Sequence, residues 1–294
     1  MSKRIVIVGA GYAGVEAALA LNKMKKKDSV DITLIDKNDY HTLLTEIHEV
    51  AGNRVSEEAV RIPLDRIFKF TDVNVVCDKI EKFDFENNKV ASDKHEYHYD
   101  YLVLAMGSKP NFYNIAGLEE YAFTLWSFED AIRIREHIKK CFILAAQEKD
   151  EQERKKLLTF VVGGAGFTGV EMIGELAYWT RDLAKKHNID RKEVRLIILD
   201  VLPRILNILD EKISEKSQRF LEKKLGVEVM LNTGVKEVTP DGLSTGDSFI
   251  NTKTLIWAAG IRASSDVDKM DFDTVNHSKR LKVDEFCRTK YENV

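Results

Sequence analysis

The chain has 294 residues, a length that predicts two domains, each large enough for a hydrophobic core. Its 45 Lys and Arg residues against 48 Asp and Glu residues give a net charge of −3, which leaves no cationic excess for nucleic-acid binding. With 44% apolar residues, 16 Gly and 4 Pro, the composition excludes disordered, collagen-like and disulfide-scaffold proteins.

The sequence contains no recognisable targeting or membrane-spanning pattern. The apolar run that begins at Ile5 is too short for a signal peptide, and no apolar run approaches the length of a bilayer span. The three cysteines, Cys77, Cys141 and Cys287, are too widely separated to indicate a disulfide framework or a metal-binding pair, and we expect no metal. These features predict a protein of the reducing cytoplasm.

Residues 5–36 predict a strand, a turn, a helix and a second strand. The apolar residues 5–8 are typical of a buried parallel strand, a glycine-rich turn follows, and residues 15–21 have the apolar side of a helix. The second strand, at 31–35, ends at Asp36.

Shorter elements are predicted before this pattern returns. Residues 83–90 form a hairpin pattern and residues 97–105 a strand pattern, and a crossover segment follows at 110–117. Ser127 opens a helix by side-chain capping. The charged stretch at 148–156 predicts a solvated helix face or a linker.

Residues 159–200 repeat the first pattern, with a strand at 159–162, a helix through Leu183 and a strand at 194–199 that ends at Asp200. When Gly9 is aligned with Gly164, 155 residues later, six of eight positions match through the glutamate that ends each copy. A second landmark, the apolar run before Gly107, returns before Gly260 after 153 residues. We infer that one structural unit has been used twice.

Three glycines at this spacing are needed where a backbone approaches a pyrophosphate. The first permits the tight turn, the second lets the backbone approach the ligand, and the third lets the helix pack closely on the strand. Phosphate then binds the unpaired N–H groups at the start of the helix. Each copy follows a strand, precedes a helix and has an acidic residue at the end of the next strand, so the sequence predicts two dinucleotide sites.

The acidic residues predict the nucleotide ends of these sites. Asp36 lies 27 residues after Gly9, and Asp200 lies 36 residues after Gly164, an interval that a charged helix extension at 181–192 would lengthen. A carboxylate here accepts hydrogen bonds from ribose hydroxyls and repels a 2′-phosphate, which favours NADH over NADPH at the second site. Arg204 leaves NADPH open, because an arginine at this point accommodates the phosphate.

The order of the elements predicts an α/β protein with two Rossmann-like dinucleotide-binding domains, the second inserted into the first. The predicted boundaries are residues 1–114 for the first part of the first domain, 115–262 for the inserted domain, and 263–294 for the return to the first domain.

Four segments resemble the type II NADH:quinone oxidoreductases, and together they span nearly the whole chain: residues 8–14, residues 35–41 with 48–52, residues 163–171 and residues 257–262. The paired glycine motifs are shared by all two-dinucleotide flavoproteins, whereas the other segments favour this branch. The resemblance implies a single-subunit flavoenzyme that passes electrons from NADH through FAD to a membrane quinone without pumping protons. It further implies a homodimer, bound peripherally to the cytoplasmic face of the cell membrane.

The resemblance implies that the first domain, residues 1–114 with an incomplete return at 263–294, binds FAD, so that the NAD domain, residues 115–262, is inserted into the FAD domain. It also assigns candidate residues to the two cofactors. It implies that residues 9–14 hold the FAD pyrophosphate, that Asp36 and Lys37 meet its ribose, that the backbone of Ile80 meets its adenine, and that Thr45 and Gly107 lie near the flavin. The implied FAD-side residues are Gly9, Ala10, Gly11, Tyr12, Ala13, Gly14, Asp36, Lys37, Thr45, Ile80, Ala105 and Gly107. The implied NADH-side residues are Gly164, Gly166, Phe167, Thr168, Gly169, Asp200, Ala259 and Gly260.

Glu171 matches a family glutamate that lies near the nicotinamide and the quinone, where it would assist positioning or quinone protonation. An alternative stays open, because Glu16 occupies the same place in the first copy and a carboxylate near a helix start is stabilised by the helix dipole. His41 and His48 could touch the flavin region or serve a structural role. Residues 41–51 contain no cysteine, which argues against disulfide reductases and sulfide:quinone reductases.

The chain ends at Val294, where the family continues into a strand that ends in Gly-Asp and contacts FAD. We therefore expect a C-terminally truncated chain without the membrane-binding segment. Two alternatives to a quinone reductase stay open: a reductase of a soluble acceptor such as rubredoxin or ferredoxin, and a dinucleotide-binding fragment without turnover.

Overall fold

The computed structural model describes residues 2–24, 30–275 and 278–294. The chain forms two compact units. Unit 1 comprises residues 1–43, 61–109 and 261–294, and unit 2 comprises residues 44–60 and 110–260. The second unit is thus inserted into the sequence of the first.

The elements are numbered in chain order. The strands are β1 (Lys3–Val8), β2 (Val30–Asp36), β3 (Tyr40–Thr42), β4 (Arg61–Pro63), β5 (Val73–Cys77), β6 (Lys82–Asp84), β7 (Lys89–Ala91), β8 (Glu96–His98), β9 (Tyr101–Leu104), β10 (Ser108–Pro110), β11 (Phe123–Thr124), β12 (Thr159–Gly163), β13 (Arg195–Leu199), β14 (Val227–Met230), β15 (Glu237–Thr239), β16 (Gly242–Ser244), β17 (Phe249–Asn251), β18 (Thr254–Trp257) and β19 (Ile261–Ala263). The helices are α1 (Tyr12–Met24), α2 (Ile47–Ala51), α3 (Leu64–Phe68), α4 (Leu118–Tyr121), α5 (Phe128–Ala145), α6 (Glu151–Leu157), α7 (Phe167–Lys186) and α8 (Glu211–Phe220). Shorter helical turns lie at Glu57–Val60, Arg191–Glu193, Leu221–Leu225 and Val267–Lys269.

Unit 1 is built on a parallel sheet with the strand order β5-β2-β1-β9. Ile7 and Leu34 are fully buried, as expected for parallel strands that are covered on both faces. The chain passes from β1 to β2 on one side, and β9 pairs with β1 on the other side. A crevice therefore opens at the carboxyl end of β1, where ligands bind in sheets of this kind.

Unit 2 repeats this plan with a parallel sheet in the order β11-β18-β12-β13-β14. Every residue of β12 is buried, and Val161, Ile197 and Leu255 pack in one core cluster. The central strand β12 has β13 on one side and β18 on the other, which places a second crevice at its carboxyl end.

The repeat extends to a small antiparallel sheet in each unit, β6-β7-β8 in unit 1 and β15-β16-β17 in unit 2. The predicted hairpin at 83–90 is present, with Asp84 opposite Lys89. The strand predicted at 97–105 is divided into β8 and β9. Asp100 lies at the break, where its carboxylate accepts a hydrogen bond from the Arg4 N–H at 2.7 Å, so the chain changes from one sheet to the other.

Several local predictions hold in unit 2. Ser127 caps α5 by accepting a hydrogen bond from the Asp130 N–H at 3.0 Å, and the Asp130 side chain completes the capping box. The charged stretch at 148–156 contributes α6, a helix without a buried residue. No helix among the described residues is long and apolar enough to cross a bilayer.

Besides short shifts at residues 110–114 and 261–262, the division into units differs from the predicted boundaries in the segment 44–60, which the sequence had placed with the first domain. This segment belongs to unit 2 because Ile47, Val50 and Ala51 are buried where α2 packs against α5 and α7. An ion pair of 2.6 Å between Glu57 and Arg135 adds to this packing.

Candidate functional site

The first glycine turn lies between β1 and α1 and depends on the backbone of Gly9. This residue has a φ of +106°, which disfavours any side chain, and a Cβ here would lie 2.3 Å from the carbonyl oxygen of Ala105. Its N–H donates to the Ile35 carbonyl at 2.8 Å. The turn is therefore held between the ends of β2 and β9.

The other two glycines of this turn have opposite surroundings. A Cβ on Gly14 would lie 1.8 Å from the Gly9 carbonyl oxygen, so α1 reaches the turn only because this residue has no side chain. A Cβ on Gly11 would meet nothing within 4 Å. The open space at Gly11 lies at the N-terminus of α1, where the first N–H groups of a helix have no partner within the helix, and it fits a pyrophosphate.

Asp36 joins the end of β2 to the turn. One oxygen of its carboxylate accepts a hydrogen bond from the Ala10 N–H at 2.7 Å, and the other accepts one from the Asn38 N–H at 2.8 Å. A carboxylate has about four acceptor positions, so two remain for ribose hydroxyls. The structure thus adds a turn-closing role to the ribose contact that the sequence predicts.

His41 supports the same turn. Its ring Nδ1 donates to the Ala10 carbonyl at 2.8 Å, the ring is 5% exposed, and the exposed Tyr12 ring stands edge-on to it at 4.9 Å. This arrangement agrees with a structural role for His41. The sequence alone does not reveal this contact, because 31 residues separate the two partners.

The remaining FAD-side candidates of unit 1 lie around this crevice or beneath it. Lys37 is exposed just after β2, whereas Ile80 is buried in the cluster that includes Val8. The Cβ of Ala105 would lie 3.3 Å from a Cβ on Gly14. Gly107 has a φ of +69° and lines a cavity of about 290 Å³.

The second glycine turn, between β12 and α7, has the same backbone geometry as the first. Gly164 also has a φ of +106°, and its N–H donates to the Leu199 carbonyl at 2.8 Å. A Cβ on Gly169 would lie 1.8 Å from the Gly164 carbonyl oxygen, and a Cβ on Gly166 would meet nothing within 4 Å. The same space for a pyrophosphate therefore opens at Gly166, beside the exposed Phe167.

Asp200 takes the place of Asp36 in this copy. Its carboxylate accepts hydrogen bonds from the Ala165 N–H at 2.6 Å and the Leu202 N–H at 2.8 Å. The Arg204 guanidinium donates to the Asn207 carbonyl at 3.3 Å, within its own loop. The carboxylate, rather than the arginine, is thus the charged group bound to the turn.

The residues after β18 border this second turn. A Cβ on Gly164 would lie 2.8 Å from the Ala259 nitrogen, so these two segments are in close contact. Gly260 has a φ of +74°, and a Cβ here would collide with the Tyr113 hydroxyl at 1.9 Å. The exposed Thr168 completes the NADH-side candidates that the structure gathers at this end of β12.

Glu171 pairs with a histidine that is distant in sequence. It lies near the start of α7, and its Oε2 is 3.7 Å from Nδ1 of His48 on α2. The His48 side chain is 10% exposed and that of Glu171 is 45% exposed, so the imidazole is largely buried and the carboxylate is accessible to solvent. Thr45 belongs to the same segment of unit 2.

The surroundings of Glu171 disfavour its ionised form. Partial burial raises the pKa of its carboxyl, His48 opposes the rise, and the carboxylates of Glu46 and Glu49 add to it. Arg54 neutralises part of this negative charge through ion pairs with Glu49 and with Glu175, the latter at 2.8 Å. Four carboxylates thus surround one guanidinium and one imidazole.

Comparison with Glu16, the equivalent residue of the first copy, separates a specific role of Glu171 from stabilisation by the helix dipole alone. It is exposed, and no ion pair joins it to another described residue. A dipole effect alone would apply to both glutamates, whereas only Glu171 has a histidine partner from another helix. This difference favours a specific role for Glu171.

Two Rossmann-type units, each with a glycine turn at the switch point of a parallel sheet, define a class of protein with paired dinucleotide sites. A family model described as pyridine nucleotide-disulphide oxidoreductase matches residues 3–294. The chain belongs to this family. The α/β fold class inferred from the sequence is thereby confirmed.

Curated relatives confirm the resemblance to the type II NADH:quinone oxidoreductases. The type II NADH:quinone oxidoreductase of Staphylococcus haemolyticus is 32% identical over 268 residues, which cover 89% of this chain and 65% of the relative. The protein of the same name from Staphylococcus aureus (strain NCTC 8325 / PS 47) is 30% identical over 298 residues, covering 99% of this chain and 73% of the relative. The chain thus spans about two thirds to three quarters of the length of these proteins.

Solved structures share the fold at lower identity. NDH2 from Plasmodium falciparum in complex with NADH has a TM-score of 0.82 and 21% identity, with coverage of 92% of this chain and 57% of that one. The sulfide:quinone oxidoreductase of Aquifex aeolicus has a TM-score of 0.79 and 20% identity, with coverage of 99% and 67%.

Substitution of Gly169 by alanine tests the close packing of the second turn. Because the new Cβ would overlap the Gly164 carbonyl oxygen, we expect Gly169→Ala to lower the free energy of unfolding by about 2 kcal/mol or more. Gly174→Ala, on the same helix, is the matched control. A Cβ there meets nothing within 4 Å, and we expect stabilisation of about 0.5–1 kcal/mol. Equal effects in denaturant unfolding would contradict the proposed packing.

The raised pKa of Glu171 predicts a pH-dependent cost to stability. A carboxyl that holds its proton more tightly in the folded state lowers stability once the pH exceeds its unfolded pKa of about 4.3. We therefore expect Glu171→Gln to raise the free energy of unfolding at pH 7, with the gain shrinking as the pH falls towards 4. Glu16→Gln is the control at the exposed equivalent position. Urea unfolding at several pH values measures both, and a gain for Glu171→Gln that does not change with pH would refute this account.

Proposed function

We propose that this protein is an FAD-dependent NADH dehydrogenase that passes electrons to a membrane quinone. The observation that carries the proposal is the duplicated glycine turn, with open space at Gly11 and at Gly166, in a chain whose relatives are named for this activity. Two dinucleotides bound by one chain are what electron transfer between a nicotinamide and a flavin requires.

The residues of each unit suit one cofactor. We assign the turn at residues 9–14 to the FAD pyrophosphate and the turn at 164–169 to the NADH pyrophosphate, with Asp36 and Asp200 on the respective ribose hydroxyls. In each turn the helix N-terminus offers backbone N–H donors to the phosphates. The negative charge of Asp200 at the second site supports NADH in preference to NADPH.

Bound FAD would supply a two-electron relay, taking a hydride from NADH and passing its two electrons and one proton on to the quinone. The protein then needs to align the two dinucleotides and to supply the one further proton that the quinone takes up on reduction. Glu171 suits proton delivery, because its raised pKa lets it hold a proton nearer to neutral pH than an ordinary glutamate does. The buried His48 ring, 3.7 Å away, is placed to orient the carboxyl.

The finer features of the proposal come from the family resemblance. They are electron transfer without proton pumping, a homodimer, and peripheral attachment to the cytoplasmic face of the membrane. The proposed domain limits are 1–114 with 263–294 for FAD and 115–262 for NADH.

The test is an anaerobic titration of the purified chain, supplied with excess FAD and then freed of unbound flavin. We expect flavin absorbance to bleach with one equivalent of NADH and to return on addition of a soluble quinone. Gly11→Leu should prevent flavin retention, and Gly166→Leu should keep the flavin but prevent its reduction, because the Cβ at each position meets no protein atom within 4 Å and the side chain would begin in the space of one pyrophosphate. Failure of the wild-type chain to retain or reduce flavin would overturn the proposal for this chain.

The role of Glu171 is tested by separating the two half-reactions in a stopped-flow experiment. We expect Glu171→Gln to leave flavin reduction by NADH within about twofold of wild type and to slow reoxidation by quinone roughly 10²-fold, the size of a lost proton-transfer contribution. Glu16→Gln serves as the control and should change neither step. Unchanged reoxidation in Glu171→Gln would remove this residue from the mechanism.

A further inference from the structure

A second concave site lies in unit 2, away from the glycine turn. It is a groove of about 1260 Å³, larger than the roughly 300–1,000 Å³ of most small-molecule sites. Thr159, Arg195 and Glu228 line it, so it lies at the edge where β12, β13 and β14 begin. The glycine turn follows the other end of β12, about 16 Å away for a strand of five residues. The groove and the turn are therefore distinct sites.

The lining of this groove is strongly cationic in a chain whose net charge is −3. Eight Lys and Arg side chains face three carboxylates. Two of the arginines are neutralised, since Arg154 pairs with Glu193 at 2.6 Å and Arg195 pairs with Glu228 at 2.7 Å. The other six form no ion pair with any described residue: Lys155, Arg181, Arg191, Lys192, Lys223 and Lys224.

Arg191 shows that this charge is incompletely satisfied. One of its guanidinium nitrogens donates to the Val194 carbonyl at 2.8 Å, but the Nε is shielded from solvent and has no hydrogen-bond partner. Burial, together with the charge of Arg181, lowers its pKa. A buried donor without an acceptor is costly, so an anion beside it would be stabilising.

The groove also offers a flat apolar contact. Phe249 and Asn251 line it from alternate positions of β17, so their side chains lie on the same side of that strand. Phe249 is 48% exposed, which leaves its ring available for stacking, and the Asn251 amide both donates and accepts hydrogen bonds.

We propose that this groove binds a soluble polyphosphate ligand of the nucleoside di- or triphosphate class, with its phosphates among the unpaired lysines and arginines and its base against Phe249. Several adjacent cations without counter-ions match the charge of a phosphate chain and exceed what a single carboxylate needs. The concave shape suits a small ligand better than a membrane surface, which is flat on this scale. This site is independent of the proposed electron transfer.

The experiment measures binding of inorganic tripolyphosphate and of ATP to the full chain by isothermal titration calorimetry, with saturating NADH present to occupy the glycine turn. We expect both to bind, with an affinity that falls as salt is added. Lys223→Gln with Lys224→Gln should weaken both ligands by about tenfold or more, since two charge-assisted contacts are removed. Phe249→Ala should weaken ATP but not tripolyphosphate.

Two variants keep the test decisive. Lys155→Gln with Lys192→Gln removes two other exposed lysines of the groove and should have a similar effect, so a misfolded first variant would not decide the outcome. Lys212→Gln with Lys216→Gln changes two exposed lysines of α8 outside the groove and should change binding less than twofold. Phosphatidylglycerol vesicles are titrated in the same way. Absence of binding at millimolar ligand, an equal loss of affinity in the α8 control, or binding to the vesicles alone would overturn the proposal.

Discussion

The contact between the third glycine of each turn and the carbonyl of the first is the constraint on which the rest of the structure depends. In both copies a Cβ on the third glycine would lie 1.8 Å from that carbonyl oxygen, so the helix can begin directly against the end of the central strand. This closeness directs the N-terminus of the helix, with its backbone N–H donors, towards the crevice. It also leaves the second glycine beside open space, where a pyrophosphate fits.

The acidic residue at the end of the second strand stabilises the same turn from the side. Asp36 and Asp200 each accept a backbone N–H of the turn and a second N–H two residues further along their own loop. The carboxylate is therefore already oriented before any ribose arrives. In the first copy a buried imidazole, His41, holds the same residue of the turn, Ala10, by its carbonyl. Binding geometry and local stability thus depend on the same few hydrogen bonds.

The segment 44–60 gives unit 2 a feature that the repeat alone would not produce. It brings His48 to Glu171 and Arg54 to Glu175, so one face of α7 carries a network of charges that has no equivalent on α1. Partial burial raises the pKa of the Glu171 carboxyl, with a further rise from Glu46 and Glu49 and an opposing effect of His48, at a cost in stability that is typical of groups poised for proton transfer. At the opposite edge of the same sheet, unpaired cations gather in the groove beside Arg191.

The turns, strand ends and helix cap of this protein follow from local chemistry that is legible in the sequence. The glycine spacing predicts both turns, because only a residue without a side chain fits there, and apolar runs, capping Ser127 and the acidic strand ends predict their elements from local chemistry. The same pattern, written twice, predicts the fold class and the insertion of one unit into the other. The pairing of His48 with Glu171, the division of the strand at Asp100 and the cationic groove were decided only by tertiary structure. Each of these joins residues from elements far apart in the chain, and the sequence alone, without packing, contains no distance between them.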